Sequence, residues 1–367
     1  MKTLICIPTY NEAENIKKIL LTIFDLKLKD VDILVIDDNS PDGTSQIVKK
    51  IAKNNKGNKV FVLDRKKKEG LGKAYVAGFK WALDGKYQRI ISMDADFSHD
   101  PKYLPIMLEK SKDYDLVIGS RYIKGGKIVG WQWHRYVNSY GANFFTRLIL
   151  LLKPKDATAG FKCYSSDFLN SINLDKIIAG GYAFQVEMVN LAQEEDCKIT
   201  EFPITFVDRQ VGESKISGEL SRSIKTVFQL ALRKKLYRQI IKFGVVGFIG
   251  TIIDLGFYNL FAIGLAANIY ASRIISFTLA ATSNYFLNRI WTFRSKEKRV
   301  ARQFTQFFFI SVIGLLMNLV IMKLLESVVA PIESEFLRKN TPVLIAIVIV
   351  LFWNFFANKY WTFKEKK

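Results

Sequence analysis

An α/β domain built on a parallel sheet, followed by four helices that cross a membrane, is the fold class this sequence predicts. Three observations lead to it. Strand-like and helix-like segments alternate through the first 220 residues. One of them, RIISMDAD, is an apolar run that stops abruptly at carboxylates. Beyond about residue 240, four apolar stretches each approach the roughly 20 residues needed to cross hydrocarbon.

The strand KTLICIPTY opens the chain and leads into a helix over 12–24. The strand DILVIDD, a helix over 45–54 and the strand KVFVLDR follow. GLGKAYVAGFKWAL is helical by its apolar spacing and precedes RIISMDAD. A strand that ends in acids delivers them to the carboxyl edge of a parallel sheet, where ligands bind in this class of fold. MKTLICIPTYNEAEN turns polar after a few apolar residues, unlike a cleavable signal peptide, so the N-terminal part is expected in the cytosol.

The apolar stretches fall at about 240–263, 268–290, 304–326 and 341–361 and mostly lack the charged face of a soluble helix. Arg233, Lys234, Lys235 and Arg238 precede the first, and Arg294, Lys296, Lys298, Arg299 and Arg302 separate the second from the third. Those ends are therefore assigned to the cytoplasm, as are both chain ends. RQIIKFGVVGFIGTIIDL from Arg238 is repeated as RQFTQFFFISVIGLLMNL from Arg302, and NYFLNRIWTFR from Asn284 as NFFANKYWTFK from Asn354. The membrane part is thus a duplicated helix pair, in which Asn284, Asn288, Asn354 and Asn358 are expected to bond between helices. The chain divides into a cytosolic domain over 1–220, an amphipathic linker over 221–236 and a membrane domain over 237–367.

Composition removes other classes. With 49% hydrophobic residues in 367, disorder is excluded as the main state. Cys6, Cys163 and Cys197 lie far apart with no CxxC pair, so neither a disulfide framework nor a structural zinc site is indicated. The net charge of +20 is concentrated where the chain is most apolar: from residue 233 onward, 19 Lys and Arg stand against 6 Asp and Glu. Nucleic-acid-binding arms lack such long apolar runs, so the basic excess reads as cationic ends of membrane helices and no nucleic-acid partner is expected.

Asp94 and Asp96, separated by Ala95 at a strand end, can converge on one divalent cation bridging a diphosphate. Pro8, Tyr10 and Glu12 leave the first strand, and Ile36 and Asp38 the second, so both groups meet at one edge able to hold a nucleoside. The competing reading makes these turns and helix caps, with Asn11 and Asp42 as capping residues.

IPTYNEAENI, VIDDNSPDGT, GLGKAYVAGF, MDADFSHDP and GSRY, in this order and spacing, resemble family 2 glycosyltransferases with the Rossmann-like glycosyltransferase A fold. Among these the likeness is to the polyprenyl phosphate mannosyltransferases, the dolichol phosphate mannose synthases, and it covers about the first 230 residues. The four-helix tail resembles the small membrane domain fused to such enzymes, or free-standing as a lipid-linked-sugar flippase. The resemblance implies that Pro8, Tyr10, Glu12, Ile36 and Asp38 contact the donor nucleoside. It implies also that Asp94, Ala95 and Asp96 surround the diphosphate and its Mg2+ or Mn2+. Ser98 stands where some relatives carry Gln, and its shorter reach fits a water-mediated contact to the metal. His99 fits a local structural bond better than a base. By the same likeness Arg121, Arg135 and Ser139 hold the lipid phosphate, and Arg209 and Lys215 the nucleotide diphosphate.

The implied reaction is inverting transfer of mannose from GDP-mannose to dolichyl or polyprenyl phosphate, with Asp94, Asp96 and Arg121 as the catalytic residues. UDP-glucose is the competing donor, because nothing in the residues selects guanine over uracil. A flippase with a sugar-loading domain is the competing class. NSYGANFFTRLILLLK from Asn138 is apolar but too short to span, and SRSIKTVFQLALRKKL from Ser221 is basic and amphipathic. Both are candidates for contact with the lipid bilayer.

Overall fold

The structure, a computed structural model, describes residues 1–55, 57–208, 219–330 and 334–364, which divide into two units, Met1–Ala231 and Leu232–Lys367. In the first unit the strands are β1 (Thr3–Thr9), β2 (Val31–Asp37), β3 (Val60–Asp64), β4 (Arg89–Ser92), β5 (Leu116–Ser120), β6 (Lys127–Val129), β7 (Lys162–Ser165), β8 (Ile199–Pro203) and β9 (Thr205–Val207). The helices of eight or more residues lying wholly in it are α1 (Ala13–Asp25), α2 (Thr44–Asn54), α3 (Leu71–Asp84), α5 (Trp133–Leu150) and α7 (Gly181–Glu194); α4 (Leu104–Lys110) and α6 (Ser166–Ser171) are shorter. Seven strands form one sheet in the order β3-β2-β1-β4-β7-β5-β8. β7 runs antiparallel to both neighbours and all other pairs are parallel. β6 and β9 pair separately.

The central strands are apolar on both faces because helices cover both. Leu4, Ile5, Cys6 and Ile7 of β1 and Ile33 to Ile36 of β2 are buried in succession, without alternation. α1 covers one face with Ile16, Ile19, Leu20 and Ile23, an i, i+3, i+4, i+7 set. α3 lies so close to the sheet that a Cβ on Gly78 would stand 2.5 Å from Ile36 Cδ1. The register sets Thr9 beside Asp37 and Cys6 beside Ser92, so β1, β2 and β4 release their chains at one edge. The strand expected through RIISMDAD ends at Ser92, and the two carboxylates lie in the loop just beyond it.

The second unit contains α9 (Lys235–Asn259), α10 (Ile269–Leu287), α11 (Val300–Val329) and α12 (Glu335–Ala357); α8 (Glu219–Arg233) precedes it. Among the described residues three helices are long and apolar enough to cross a membrane: Lys235–Gly264, Val300–Val329 and Asn340–Thr362. The remaining expected crossing, 268–290, contains α10, whose apolarity is diluted by Arg273, Asn284 and several Ser and Thr residues. The duplication is visible in three dimensions. Gln239 donates from Nε2 to the Thr292 carbonyl (3.5 Å) and accepts from Lys359 Nζ (3.1 Å). Its repeat mate Gln303 donates to the Thr362 carbonyl (2.9 Å) and accepts from Arg289. Each glutamine is therefore bonded to a cation of the other copy. Phe293 and Phe363 stack at 4.6 Å between the two copies. The interhelix bonding expected of Asn284, Asn288, Asn354 and Asn358 is not what the structure shows: Asn284 packs against Gly250 and Asn354 against Gly314, Asn358 donates within its own helix to the Asn354 carbonyl at 2.8 Å, and the side-chain oxygens of all four are buried without a hydrogen-bond partner among the described residues.

Because a Cβ at Gly250 would fall 2.3 Å from the Asn284 amide while one at Gly247 meets nothing within 4 Å, the two glycines should respond differently. Gly250→Leu is expected to destabilise the membrane unit by about 1–3 kcal/mol through overpacking, and Gly247→Leu to be near neutral. Thermal unfolding of the full chain in detergent checks this, and equal effects would contradict the close helix approach.

Candidate active site at the carboxyl edge of the sheet

The turns after β1 and β2 are stitched together. Asn11, at φ +59°, donates its amide to Ser40 Oγ (3.0 Å), Glu12 to Thr44 Oγ1 (3.1 Å) and Ala13 to Asp42 Oδ2 (2.9 Å). Asp37 accepts from the Thr9 hydroxyl (3.0 Å) and from both the amide and hydroxyl of Ser40 (2.9 and 2.6 Å). Asp37 and Asp42 thus hold loop shape. Burial raises the Asp42 carboxyl, but hydrogen bonds from Thr44 and Ala13 outweigh it and leave it below its ordinary range.

The expected nucleoside contacts divide by position. Tyr10 and Glu12 are half-buried at the edge, with Lys68 Nζ 4.1 Å over the Tyr10 ring and Glu12 Oε2 accepting from Asn15 Nδ2 (2.9 Å). Pro8 is half-buried on β1. The Ile36 side chain is in the core beneath Gly78. Asp38 is buried in an ion pair with Arg65, which also reaches Glu69 at 3.0 Å. Burial pushes the Asp38 carboxyl upward, against the pull of Arg65.

Beyond β4, Asp94 is partly open and Asp96 is buried. Asp94 Oδ1 accepts from the buried Tyr75 hydroxyl (3.4 Å), and Asp96 Oδ1 from the Ser98 amide (3.1 Å). Burial, then the Asp94 charge, holds the Tyr75 phenol well above its ordinary value. Ala95 is buried between the two acids. His99 is buried and stacked on Phe161 at 5.3 Å; its Nδ1 accepts the Asp94 amide (3.0 Å), so the ring proton is on Nε2. The approach of Nδ1 to Asp94 Oδ2 (3.7 Å) is then a contact rather than an ion pair. A Cβ at Gly160 would come within 2.9 Å of His99 and 3.7 Å of Asp94 Oδ2, so glycine is what lets the His99 ring pack this closely beside Asp94. Among the described residues no three His, Cys, Asp or Glu side chains form a metal cluster. Two adjacent carboxylates with an open flank fit a hard cation that draws its other oxygen ligands from a diphosphate and water.

Arg121, Arg135 and Ser139 are brought together by aromatic rings. The Arg121 and Arg135 guanidinium carbons lie 5.8 and 4.8 Å from the Trp131 ring, and Tyr122 Oη is 2.8 Å from Ser139 Oγ. Arg135 Nη1 donates to both oxygens of Asp208 (2.8 and 2.7 Å). Arg121 forms a two-pronged pair with the fully buried Asp156, from Nε and Nη2 at 2.8 Å each, and Nη2 also reaches Thr158 (2.7 Å). Burial pushes the Asp156 carboxyl up, but the Arg121 charge and hydrogen bonds outweigh it and hold it below the ordinary range.

Sequence reasoning missed Asp156, Trp131 and Lys162. Lys162 on β7 is fully buried, and its Nζ donates to the Ala159 carbonyl and to the carbonyl and Oε1 of Gln185 (3.1 and 3.0 Å). Burial lowers its pKa to about 7, although every one of these partners is an acceptor suited to the ammonium. A charged residue inside the apolar-flanked run TAGFKCYS was the available signal. Arg209 and Lys215 lie outside the described residues.

A mostly parallel sheet with acids and arginines gathered at its carboxyl edge, on a chain that also carries membrane helices, defines a membrane-associated glycosyltransferase with the glycosyltransferase A fold. Residues 4–172 match the model "Glycosyl transferase family 2" and residues 242–363 the model "GtrA/DPMS, transmembrane domain". The chain is 44% identical over 218 residues to an undecaprenyl-phosphate mannosyltransferase of Micrococcus luteus, covering 59% of this chain and 88% of that protein. It is 39% identical over 239 residues to a polyprenol monophosphomannose synthase of Mycolicibacterium smegmatis, covering 65% and 89%. The chain belongs to glycosyl transferase family 2 and carries the GtrA/DPMS membrane domain. Among solved structures, glucosyl-3-phosphoglycerate synthase of Mycobacterium tuberculosis with Mn2+, UDP and glucosyl-3-phosphoglycerate aligns with 17% identity and a TM-score of 0.45, over 63% of this chain and 78% of that one.

Breaking the buried Arg121–Asp156 pair leaves an uncompensated cation, at a cost of about 3–5 kcal/mol. Asp156→Asn is therefore expected to lower the unfolding stability of the full chain strongly at pH 7. A carboxyl held low in the folded state contributes its stability above its unfolded pKa, with a reference value of 3.8, and loses it as pH falls through the folded value. The gap between wild type and variant should thus close below about pH 4; a gap constant down to pH 3 would contradict the pairing.

Proposed function

We propose that the chain is an inverting transferase that moves mannose from GDP-mannose to a dolichyl or related polyprenyl phosphate on the cytosolic face of a membrane. The observation that carries this reading is the meeting, at one sheet edge, of the Asp94/Asp96 pair with two arginines that both approach the Trp131 ring. The names of the relatives support mannose and a polyprenyl phosphate. Arginine forks suit phosphate oxygens, and a carboxylate pair at a strand end suits a metal-bound diphosphate.

Asp94 and Asp96 would hold Mg2+ or Mn2+, which when bound neutralises charge on the departing nucleoside diphosphate. The chain's own residues do the rest. Tyr10 and Glu12 line the nucleoside end, and the partly open Asp94 faces the sugar phosphate. On the acceptor side, Asp156 fixes the Arg121 guanidinium in one plane, and Ser139 and Tyr122 offer hydroxyls beside it. The acceptor phosphate is largely dianionic at neutral pH, its second pKa being about 6, and attacks the anomeric carbon directly. No side chain has to remove a proton, so the burial of His99 against Phe161 carries no penalty for the reaction. The main electrostatic task is to hold two anions together, against about 4 kcal/mol per pair of unit charges at 4 Å and intermediate dielectric.

The membrane supplies the acceptor. α5 exposes Trp133, Tyr136, Val137, Tyr140, Phe144 and Leu148 along one face, and buries Asn143, Thr146 and Leu150 on the other. That inverted amphipathicity supports contact of α5 with the bilayer surface. All four helices of the membrane domain cross, α10 included, because α10 returns the chain from α9 to the basic segment around Arg294.

Full-length protein given polyprenyl phosphate and radiolabelled GDP-mannose or UDP-glucose in parallel should transfer label from GDP-mannose; label solely from UDP-glucose would reject the donor assignment. Asp96→Ala and Arg121→Ala are each expected to lower turnover by at least 100-fold, as loss of preorganised charge stabilisation does elsewhere. A normal rate in either removes that residue's role. Deleting residues 237–367 should leave substantial transfer to detergent-dispersed acceptor, and total loss in a well-folded truncate would favour a membrane domain that takes part in the chemistry.

A further inference from the structure

The hairpin of α9 and α10 carries a charged cluster that the transfer reaction does not use. Asp254 of α9 accepts from Arg273 Nη1 of α10 with one oxygen (2.7 Å) and from the Ser276 hydroxyl with the other (2.7 Å). Tyr258, one turn along α9, sets its ring 5.9 Å from the guanidinium carbon. Ser276 is fully buried and the Asp254 side chain is 17% exposed, but that of Arg273 is 56% exposed. Arg121, by contrast, gives both prongs of its fork to one carboxylate, and its side chain is only 9% exposed. Arg273 is tethered through a single amine and turns much of its guanidinium outward, beside the exposed apolar side chains of Ile269, Tyr270 and Ile274.

The duplication supplies an internal control. At the positions that match Asp254, Tyr258, Arg273 and Ser276, the second copy has Asn318, Met322, Val343 and Ala346. The second hairpin nevertheless keeps the shared glutamine, asparagine and aromatic contacts, so the hairpin architecture does not require the charged cluster. Position also sets this arginine apart. The other cations of the first copy, Arg238, Lys242, Arg289 and Arg294, lie at the opposite end of the pair, so the charge bias that orients membrane helices does not account for Arg273. Arg273 is four residues into α10, about 6 Å along the axis from the turn. At that depth hydrocarbon gives way to headgroups, and a charge there is retained where it is paired or serves a ligand.

We propose that Arg273, oriented by Asp254 and Ser276 and flanked by Tyr258, binds the phosphate of a membrane lipid at the turn end of the α9–α10 hairpin. A guanidinium held at one amine can offer its remaining N–H groups to phosphate oxygens, and Tyr258 can add a hydroxyl or ring contact. The site uses residues of the second unit alone, and it does not depend on which sugar is transferred.

The test uses the full chain in detergent, with bound lipids counted by native mass spectrometry during titration with dioctanoyl phosphatidic acid, farnesyl phosphate, inorganic phosphate and, as a phosphate-free control, dioctanoyl glycerol. The informative variant is Asp254→Asn with Arg273→Val, which installs the residues the second copy already tolerates; Arg273→Gln and Arg273→Lys accompany it. One fewer phosphate lipid retained, with at least a tenfold weaker apparent affinity in the double variant and in Arg273→Gln, and partial retention in Arg273→Lys, is expected. Loss for both phosphate lipids identifies a general headgroup site, loss for one identifies its source, and loss for inorganic phosphate as well identifies a site that reads the phosphate alone. Unchanged lipid counts and affinities in the double variant, whatever its melting temperature, would overturn the proposal and leave the cluster as a helix-pairing contact.

Discussion

The Arg121 side of the candidate site in the first unit is organised around one carboxylate that has no access to water. Taking Asp156 out of solvent is costly, and the surrounding chain is arranged to offset that cost. Arg121 provides a charged fork and its own amide, Glu201 accepts the Asp156 amide at 2.9 Å, and Asn143 Oδ1 accepts the Ala157 amide at 3.0 Å. Lys162 then takes the Ala159 carbonyl and Ser92 Oγ the Gly160 carbonyl (2.6 Å). A loop that would otherwise wander is thereby fixed to β4, β5, β7, β8 and α5 at once. The same loop ends at Gly160, against His99 and Asp94, so the placement of the arginine and the packing beside the acids follow from a single set of bonds.

That arrangement marks the boundary of what the residues disclose by themselves. Local patterning gives the alternation of strands and helices well, because β1, β2 and β4 are buried on both faces and α1 and α2 are amphipathic; the helices expected over 12–24 and 45–54 occur at Ala13–Asp25 and Thr44–Asn54. The gathering of Tyr10, Asp38 and Asp94 at one edge follows from parallel strands in adjacent register. Partners distant in sequence were not legible. Asp156 follows KPK and precedes ATAG, which reads as an exposed loop, and its mate stands 35 residues away. Ile36 was assigned to a ligand, yet the absence of a Cβ at Gly78 draws α3 down onto it and commits the side chain to the core. Asp38 looked available and is engaged by Arg65, a residue whose proximity depends on β2 and β3 being neighbours.

In the membrane unit, hydropathy identifies three helices and composition explains why α10 differs. The duplication was legible because the motif residues recur; the crossed bonding was not, because similarity between two segments does not say which copy a side chain will reach. Gln239 and Gln303 each bind a carbonyl of their own copy and a cation of the other, so these two buried amides, which apolar surroundings would penalise, are satisfied reciprocally.

That reciprocity bears on how the protein is made. Translation proceeds from the N-terminus, so the hairpin containing Gln239 and Arg289 leaves the ribosome while Gln303 and Lys359 do not yet exist. For that interval the early hairpin lacks mates it will have in the finished molecule. Assembly of this half of the chain is accordingly completed only when the segment just past α12, which carries Lys359 and Thr362, arrives.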